Sequence, residues 1–352
     1  MHHTYKFCTT FIKSAKSFVH GCHFSYISSY IFIYLPLLVM SVLNLTNVSR
    51  PSTNITMNCD AKDVAVEVSY IITIIFNGIT CPFTVVLNVL VIMAVKKRPR
   101  LQSYTNILLA CLAVTDVLTG LLVQPTFIIW RTSQLLGGIN NDIVRDLHVF
   151  SIGVVTLSSA LHLMLVTCER LIAIKYTLVY SYLVTAQNIK VAVTALWFLT
   201  LCCAIFRRTF VSKLFQGLPL KIGNVITSIV IFSCMVFMAT SYAILYHETV
   251  HQQKKIKTQQ LPQEEVERFA KERKTLRTIF YVVGTVLLCF SPVAALTILW
   301  HIPELDLAYP LLWITTFLML NSLLNPLIYC WRQQEMRQFV FRMTSPAVGA
   351  VN

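Results

Sequence analysis

Charge is scarce in this sequence: of 352 residues only 29 are Lys or Arg and 15 are Asp or Glu. That 12% share stands against 56% hydrophobic residues and a mean hydropathy of +0.66. A soluble domain of this length needs more polar surface, so the composition is that of an integral membrane protein. Glycine is also sparse, at 10 residues, and forms no phosphate-binding loop. No nucleophile paired with a base and no metal-ligand cluster appears, so an enzyme is not expected. Cysteines number eleven, yet Cys81, Cys111, Cys168, Cys202, Cys203, Cys234, Cys289 and Cys330 fall in or beside apolar runs. There they act as small apolar side chains. Beyond residue 43 only Cys59 lies clearly outside those runs, so no extracellular disulfide can be drawn.

The abundant feature is apolar length. Runs long enough to cross a bilayer cover roughly 68–95, 104–129, 147–174, 189–206, 222–246, 276–300 and 309–331. The expected fold is therefore an all-α membrane protein, a seven-transmembrane helix bundle over 68–331. Short cytoplasmic connections accumulate Lys and Arg. Lys96, Lys97, Arg98 and Arg100 follow the first run, Lys254 to Lys274 includes seven basic residues, and Arg332, Arg337 and Arg342 follow the last. These belong inside. The sequons at Asn44, Asn47 and Asn54 then fall outside, in a glycosylated segment over 44–67 of a plasma-membrane protein. Residues 1–43 read equally as a cleaved signal peptide or as an uncleaved segment, which would be a signal anchor or would precede a true start at Met40. The net charge of +14 is explained by topology and anionic inner-leaflet lipid, without nucleic acid.

Polar residues inside the runs carry most of the functional information. Asn88 and Asp116 are isolated in apolar surroundings, and a mid-membrane carboxylate costs roughly 2.5–3.5 kcal/mol on insertion scales. Asp116 needs partners, for which Ser159, Asn321 and Asn325 are candidates; a protonated Asp116 bonded between helices is the plainer alternative. Glu169 and Arg170 end the third run as a potential ion pair. Pro292 and Pro326 each remove a backbone donor and must bend their helices. Residues 332–343 place Met336, Phe339, Val340 and Met343 among Arg332, Arg337 and Arg342, the pattern of an amphipathic helix on the inner leaflet, followed by a short tail at 344–352. Thr344 and Ser345 are the only phosphorylatable residues of that tail.

Taken together, Asn325-Pro326-Leu327-Ile328-Tyr329, Glu169-Arg170-Leu171, Phe290-Ser291-Pro292, Trp197 and the terminal amphipathic helix resemble the rhodopsin-like (class A) G-protein-coupled receptors from about Val68 to Met343. The resemblance implies a receptor for an extracellular ligand that couples to heterotrimeric G proteins by outward movement of the sixth helix. It implies a sodium pocket at Asp116, Ser159, Asn321 and Asn325, with no other cofactor. It also implies an activation switch: Arg170 held by Glu169 and by Glu272 on the sixth helix, Tyr242 closing on the arginine when released, Phe290 in place of the usual tryptophan toggle above Pro292, and Pro326 with Tyr329. The terminal helix corresponds to helix 8.

Departures gather in the outer half. Arg145 stands where the family carries a disulfide cysteine, the loop at about 206–219 has no cysteine, and Cys234 stands near the usual proline of the fifth helix. Melanocortin-, lysophospholipid- and cannabinoid-like receptors share some of these losses, although the first usually carry aspartate in the last motif. Met319 replaces the lysine of a retinal Schiff base, and Ile152 the aspartate that meets an ammonium ligand, so neither retinal nor a monoamine is expected. A lipid or peptide ligand stays open. Arg207, Arg208, Lys213 and Lys221 could attract an anionic lipid, nucleotide or acidic peptide, or could be ordinary surface charge. Two other functions stay open: a non-signalling, heteromerising receptor-like partner, and a transporter, against which the absence of an internal repeat speaks.

Overall fold

A computed structural model describes residues 61–137, 142–211, 219–258, 263–299 and 308–344. The leader, the three sequons, Lys213 and Ser345 lie outside these residues, as do the side chains of Lys221, Glu272 and Thr344. The described chain is helical: α1 (Ala61–Lys97), α2 (Tyr104–Leu135), α3 (Asp142–Lys175), α4 (Ala186–Phe206), α5 (Pro219–Thr258), α6 (Gln263–Leu299), α7 (Ala308–Arg332) and α8 (Gln334–Thr344). A short helix, Thr177–Leu183, sits between α3 and α4. Six of the long helices are apolar enough to cross a membrane. The remaining one, α5, has no charged residue between Ile222 and Tyr246.

Local chemistry sets the ends. Ser103 accepts from the Asn106 N–H at the start of α2, and Thr185 from Asn188 at the start of α4. Gly137, at φ 62°, closes α2 in the left-handed conformation that glycine tolerates best. Several helices outrun the apolar stretches that announce them. α6 begins at Gln263 because Glu, Lys, Arg and Gln are good helix formers outside lipid as well. α2 continues past 129 through Arg131 to Leu135. It also contains a π-helical turn at Thr119–Val123, just before Gln124-Pro125, which shifts the register of its outer half.

α3 runs through the middle, touching α2, α4, α5 and α6, while α1 packs on α2 and α7. α2 is the most enclosed span and α4 the most peripheral, with Phe198 71% exposed where lipid would be. At the α1–α2 seam a Cβ on Gly120 would lie 2.6 Å from Val85 Cγ2 and 3.3 Å from the Cys81 carbonyl, so the helices meet there with no room for a side chain. Cys81 Sγ donates to the Gly120 carbonyl across this contact, at 3.1 Å.

α8 divides its apolar side chains. Met336 and Phe339 are buried in the core of the bundle, while Phe341 and Met343 are exposed. The helix is therefore half a membrane-surface element and half a wedge. Arg98 lies 5.7 Å above the Phe339 ring, Arg100 pairs with Glu335 at 3.1 Å, and Gln333 donates to Asn106 at 3.1 Å.

Candidate functional site

The prolines inside α6 and α7 each leave a carbonyl four residues earlier without its usual donor, and the two are satisfied differently. For Pro326 the orphan is the Ser322 carbonyl, which accepts from Asn88 Nδ2 of α1 at 2.9 Å. For Pro292 it is the Leu288 carbonyl, which accepts from Ser291 Oγ of the same helix at 3.1 Å. The bend in α7 is clamped to a neighbour. The bend in α6 is satisfied within its own helix.

Around the α7 bend lie the residues expected to hold an ion. Asn325 Nδ2 donates to Asp116 Oδ2 at 2.9 Å, and Ser322 Oγ to Thr119 Oγ1 at 3.0 Å. Ser159 and Asn321 line a cavity of about 20 Å³ together with Thr119, Thr156, Ser322 and Phe290; Asp116 and Asn325 are not in its lining. The four expected residues thus form two pairs. Among the described residues Asp116 Oδ1, Ser159 Oγ, Asn321 Oδ1 and Asn325 Oδ1 are buried without hydrogen-bond partners, as is Asn88 Oδ1. Orphaned oxygens of this kind need a donor or a cation, and hard oxygen ligands suit sodium. The residues present fit such an ion. No group of three or more His, Cys, Asp or Glu suited to another metal occurs among the described residues.

At the inner end of α3, Glu169 and Arg170 form a buried, two-pronged pair: Nε donates to Glu169 Oε2 at 2.7 Å, and Nη2 pairs with Oε1. Two further donors reach the same carboxylate. Thr105 Oγ1 of α2 donates to Oε2 at 3.0 Å, and Tyr180 of the short helix donates its hydroxyl to Oε1 at 2.7 Å. Burial, and next the Glu169 carboxylate, hold the Tyr180 phenol well above its ordinary range, so it stays a donor. Neither residue was singled out from sequence. The signal available was that Glu169 carries four acceptor sites and its adjacent arginine uses only two. The expected Glu272 latch falls on a side chain outside the described residues.

The other switch positions are internal. Phe290 is buried and lines the cavity beside Ser159 and Asn321. Tyr242 and Tyr329 are both buried, and among the described residues the Tyr329 hydroxyl has no hydrogen-bond partner. Trp197 meets His162 edge-on at 5.8 Å, which makes it a packing residue between α4 and α3.

The outer ends of α3 and α4 are joined by charge where the family has its disulfide. Arg208 pairs with Asp146 at 2.6 Å, Arg145 with Asp142 at 2.9 Å and Asp146 at 3.5 Å, and Arg207 donates to the Val149 carbonyl at 3.2 Å. Arg207 and Arg208 are thus committed to α3. These pairs are solvent-accessible, so each contributes about 1 kcal/mol at most.

Comparison with known proteins agrees with this architecture. The family model of seven-transmembrane receptors of the rhodopsin family matches residues 87–329. Adenosine receptor A2a of Cavia porcellus is 27% identical over 278 residues, 71% of this chain and 67% of that protein. Melanocortin receptor 5 of Mus musculus is 26% identical over 316 residues, 85% of this chain and 92% of that one. Octopamine receptor beta-1R of Drosophila melanogaster is 24% identical over 303 residues, 71% and 57% respectively. All three are receptors and not enzymes. Since the match spans well over half of the chain and most of the bundle, the chain belongs to the rhodopsin family of seven-transmembrane receptors, multi-pass membrane proteins that transduce signals.

Proposed function

We propose that this receptor couples an extracellular ligand to heterotrimeric G proteins at the plasma membrane, with its amino terminus outside, by releasing Arg170 as the inner half of α6 moves outward. The observation that carries this reading is the carboxylate of Glu169, which holds Arg170 and is itself held by Thr105 and Tyr180. An arginine restrained at the cytoplasmic end of the central helix is a switch with a defined resting position. Ligand binding then shifts the population towards the released state.

The two prolines support a division of labour. Because the carbonyl freed by Pro292 is satisfied within α6, the bend there is not tied to a neighbouring helix through that carbonyl. α7 is held to α1 through Asn88. The unpartnered hydroxyl of Tyr329 costs about 1–3 kcal/mol while buried, a penalty that a rearranged inner half removes by giving it a partner. Asp116, Ser159, Asn321 and Asn325 would hold a sodium ion, whose positive charge compensates the Asp116 carboxylate and favours the resting bundle.

The relatives are named for ligands as unlike as adenosine, melanocortin and octopamine, so the ligand class has to come from the outer half of this chain. Ile152 offers no carboxylate to an ammonium group and Met319 no amine to retinal. The test is nucleotide exchange on a panel of G proteins with the full-length receptor in nanodiscs, comparing wild type with Arg170→Ala. Basal or ligand-driven exchange that the variant abolishes is the expected result. Exchange that persists in Arg170→Ala would sink the mechanism, and none from either protein would favour a non-signalling heteromerisation partner.

A further inference from the structure

A second arginine is buried at the outer end of α2 with no acid beside it. Arg131 is 7% exposed, and its guanidinium carbon lies 3.8 Å from the Trp130 ring centroid, 5.5 Å from that of Tyr70 and 5.6 Å from that of Phe127. Nη1 donates to Gln134 Oε1 at 2.8 Å and makes a long contact with the Tyr70 hydroxyl at 3.4 Å. Nε has no partner, and no Asp or Glu pairs with Arg131 among the described residues. His148, 3% exposed, extends the aromatic cage, with its ring 5.5 Å from Trp130 and 5.6 Å from Phe127.

Arginines at the end of a span ordinarily reach out to the headgroups. This one folds inward. Ring faces stabilise the flat sides of a guanidinium but leave its edge donors unused, and those edge donors match a two-oxygen anion. Neutral donors nearby do find acceptors: Gln124 donates to Asn77 at 3.3 Å and Thr80 at 3.0 Å, and Asn77 to Thr316 at 3.2 Å, although Gln124 Oε1 and Thr132 Oγ1 are buried without partners.

The surroundings say what else a ligand would meet. Phe127 belongs to the outer apolar cluster with Val123, Val155, Leu312 and Met319, against which Tyr70 also packs. Val123, Val155 and Met319 line the cavity shared with Phe290 and Asn321. A charged end, an apolar middle and the toggle position thus follow one another along a single seam.

We propose that Arg131 recognises an oxyanion, a carboxylate or a phosphate, on the ligand of this receptor, and that the apolar body of that ligand packs against the Phe127 cluster. The proposal rests on the receptor reading and gives its site a ligand class. It is tested by thermal unfolding of the full-length receptor in nanodiscs with three probes of one apolar body at equal ionic strength: phenylacetate, phenyl phosphate and neutral phenylacetamide. A saturable rise in midpoint is expected with at least one anion, and which one responds separates carboxylate from phosphate. Phenylacetamide gives none. The rise disappears in Arg131→Gln, and in Arg131→Lys it needs roughly tenfold more anion, because an ammonium cannot reproduce the two-pronged contact. Should Arg131→Gln fail to fold, Arg131→Lys against wild type decides. No rise with either anion, an equal rise with phenylacetamide, or an unchanged response in the variants overturns the proposal. These readouts need no G protein, so absent anion binding with Arg170-dependent exchange intact sinks this inference alone. The converse sinks only the signalling reading.

Discussion

The carbonyl of Ser322 offers a direct test of how the α7 bend is held. Asn88 Nδ2 donates both to the Thr84 carbonyl and to the Ser322 carbonyl, each at 2.9 Å, in a fully buried position. Only the second acceptor lost its backbone donor to Pro326, so replacing Asn88 with the similarly sized leucine orphans one buried carbonyl, at about 1–3 kcal/mol. Part of that cost is offset, because Asn88 Oδ1 is itself buried without a partner and is removed too. A net loss of about 1–2 kcal/mol follows, equivalent to roughly 1–3 °C for a chain of this size. Pro326→Ala restores a donor within the helix, so in that background Asn88→Leu should be neutral or slightly stabilising. The cycle therefore predicts a coupling of about 1–3 kcal/mol between residues 88 and 326. The assay is the thermal unfolding midpoint of the four purified proteins in one nanodisc lipid, backed by inactivation half-lives at a fixed temperature, since receptor unfolding is commonly irreversible. Additive single-variant effects, with coupling below about 0.3–0.5 kcal/mol, would refute the reasoning.

Three other outcomes follow from the site. Tyr180→Phe removes a charge-assisted bond to Glu169, worth roughly 1–2 kcal/mol after discounting its half-exposed setting, and should raise basal nucleotide exchange about 5–30-fold; unchanged exchange counts against the restraint. The sign of its pH dependence is fixed: a phenol whose pKa is raised on folding contributes fully below its unfolded value near 10 and loses that contribution only as pH climbs through the higher folded value. The Tyr180→Phe effect should therefore be flat between pH 6 and 8.5. Asp116→Asn should abolish sodium dependence of the unfolding midpoint, with Ser159→Ala weakening it; sodium dependence that survives Asp116→Asn would exclude the ion site. Gly120→Ala should lower stability by about 1–2 kcal/mol net of its helix-propensity gain, with recovery in Gly120→Ala/Val85→Ala, whereas a stabilised single variant would show the seam to be looser than described.

Legibility differed between levels of structure. Asp116, Asn325, Glu169 and Arg170 could be paired from sequence because each is a polar group that lipid obliges to find a partner. Thr105 and Tyr180 could not, since a threonine near a helix start and a tyrosine in a loop have many ordinary uses. α2 outruns its apolar stretch for a related reason: hydropathy falls at Trp130-Arg131, yet the helix continues to Leu135, and Arg131 turns inward. The terminal amphipathic pattern marked a helix without revealing that Met336 and Phe339 serve the bundle and Phe341 and Met343 its surroundings.

By itself the sequence determined the class of fold, the order of the spans and the family. Hydropathy and the distribution of lysine and arginine are local properties, and a backbone in lipid has few ways to satisfy itself. Tertiary structure alone decided which donor reaches the Ser322 carbonyl, which side chains close on Glu169, and where the guanidinium of Arg131 lies. Thr105 and Glu169 are 64 positions apart and Asn88 and Ser322 are 234 apart, so those contacts exist only once the helices have packed.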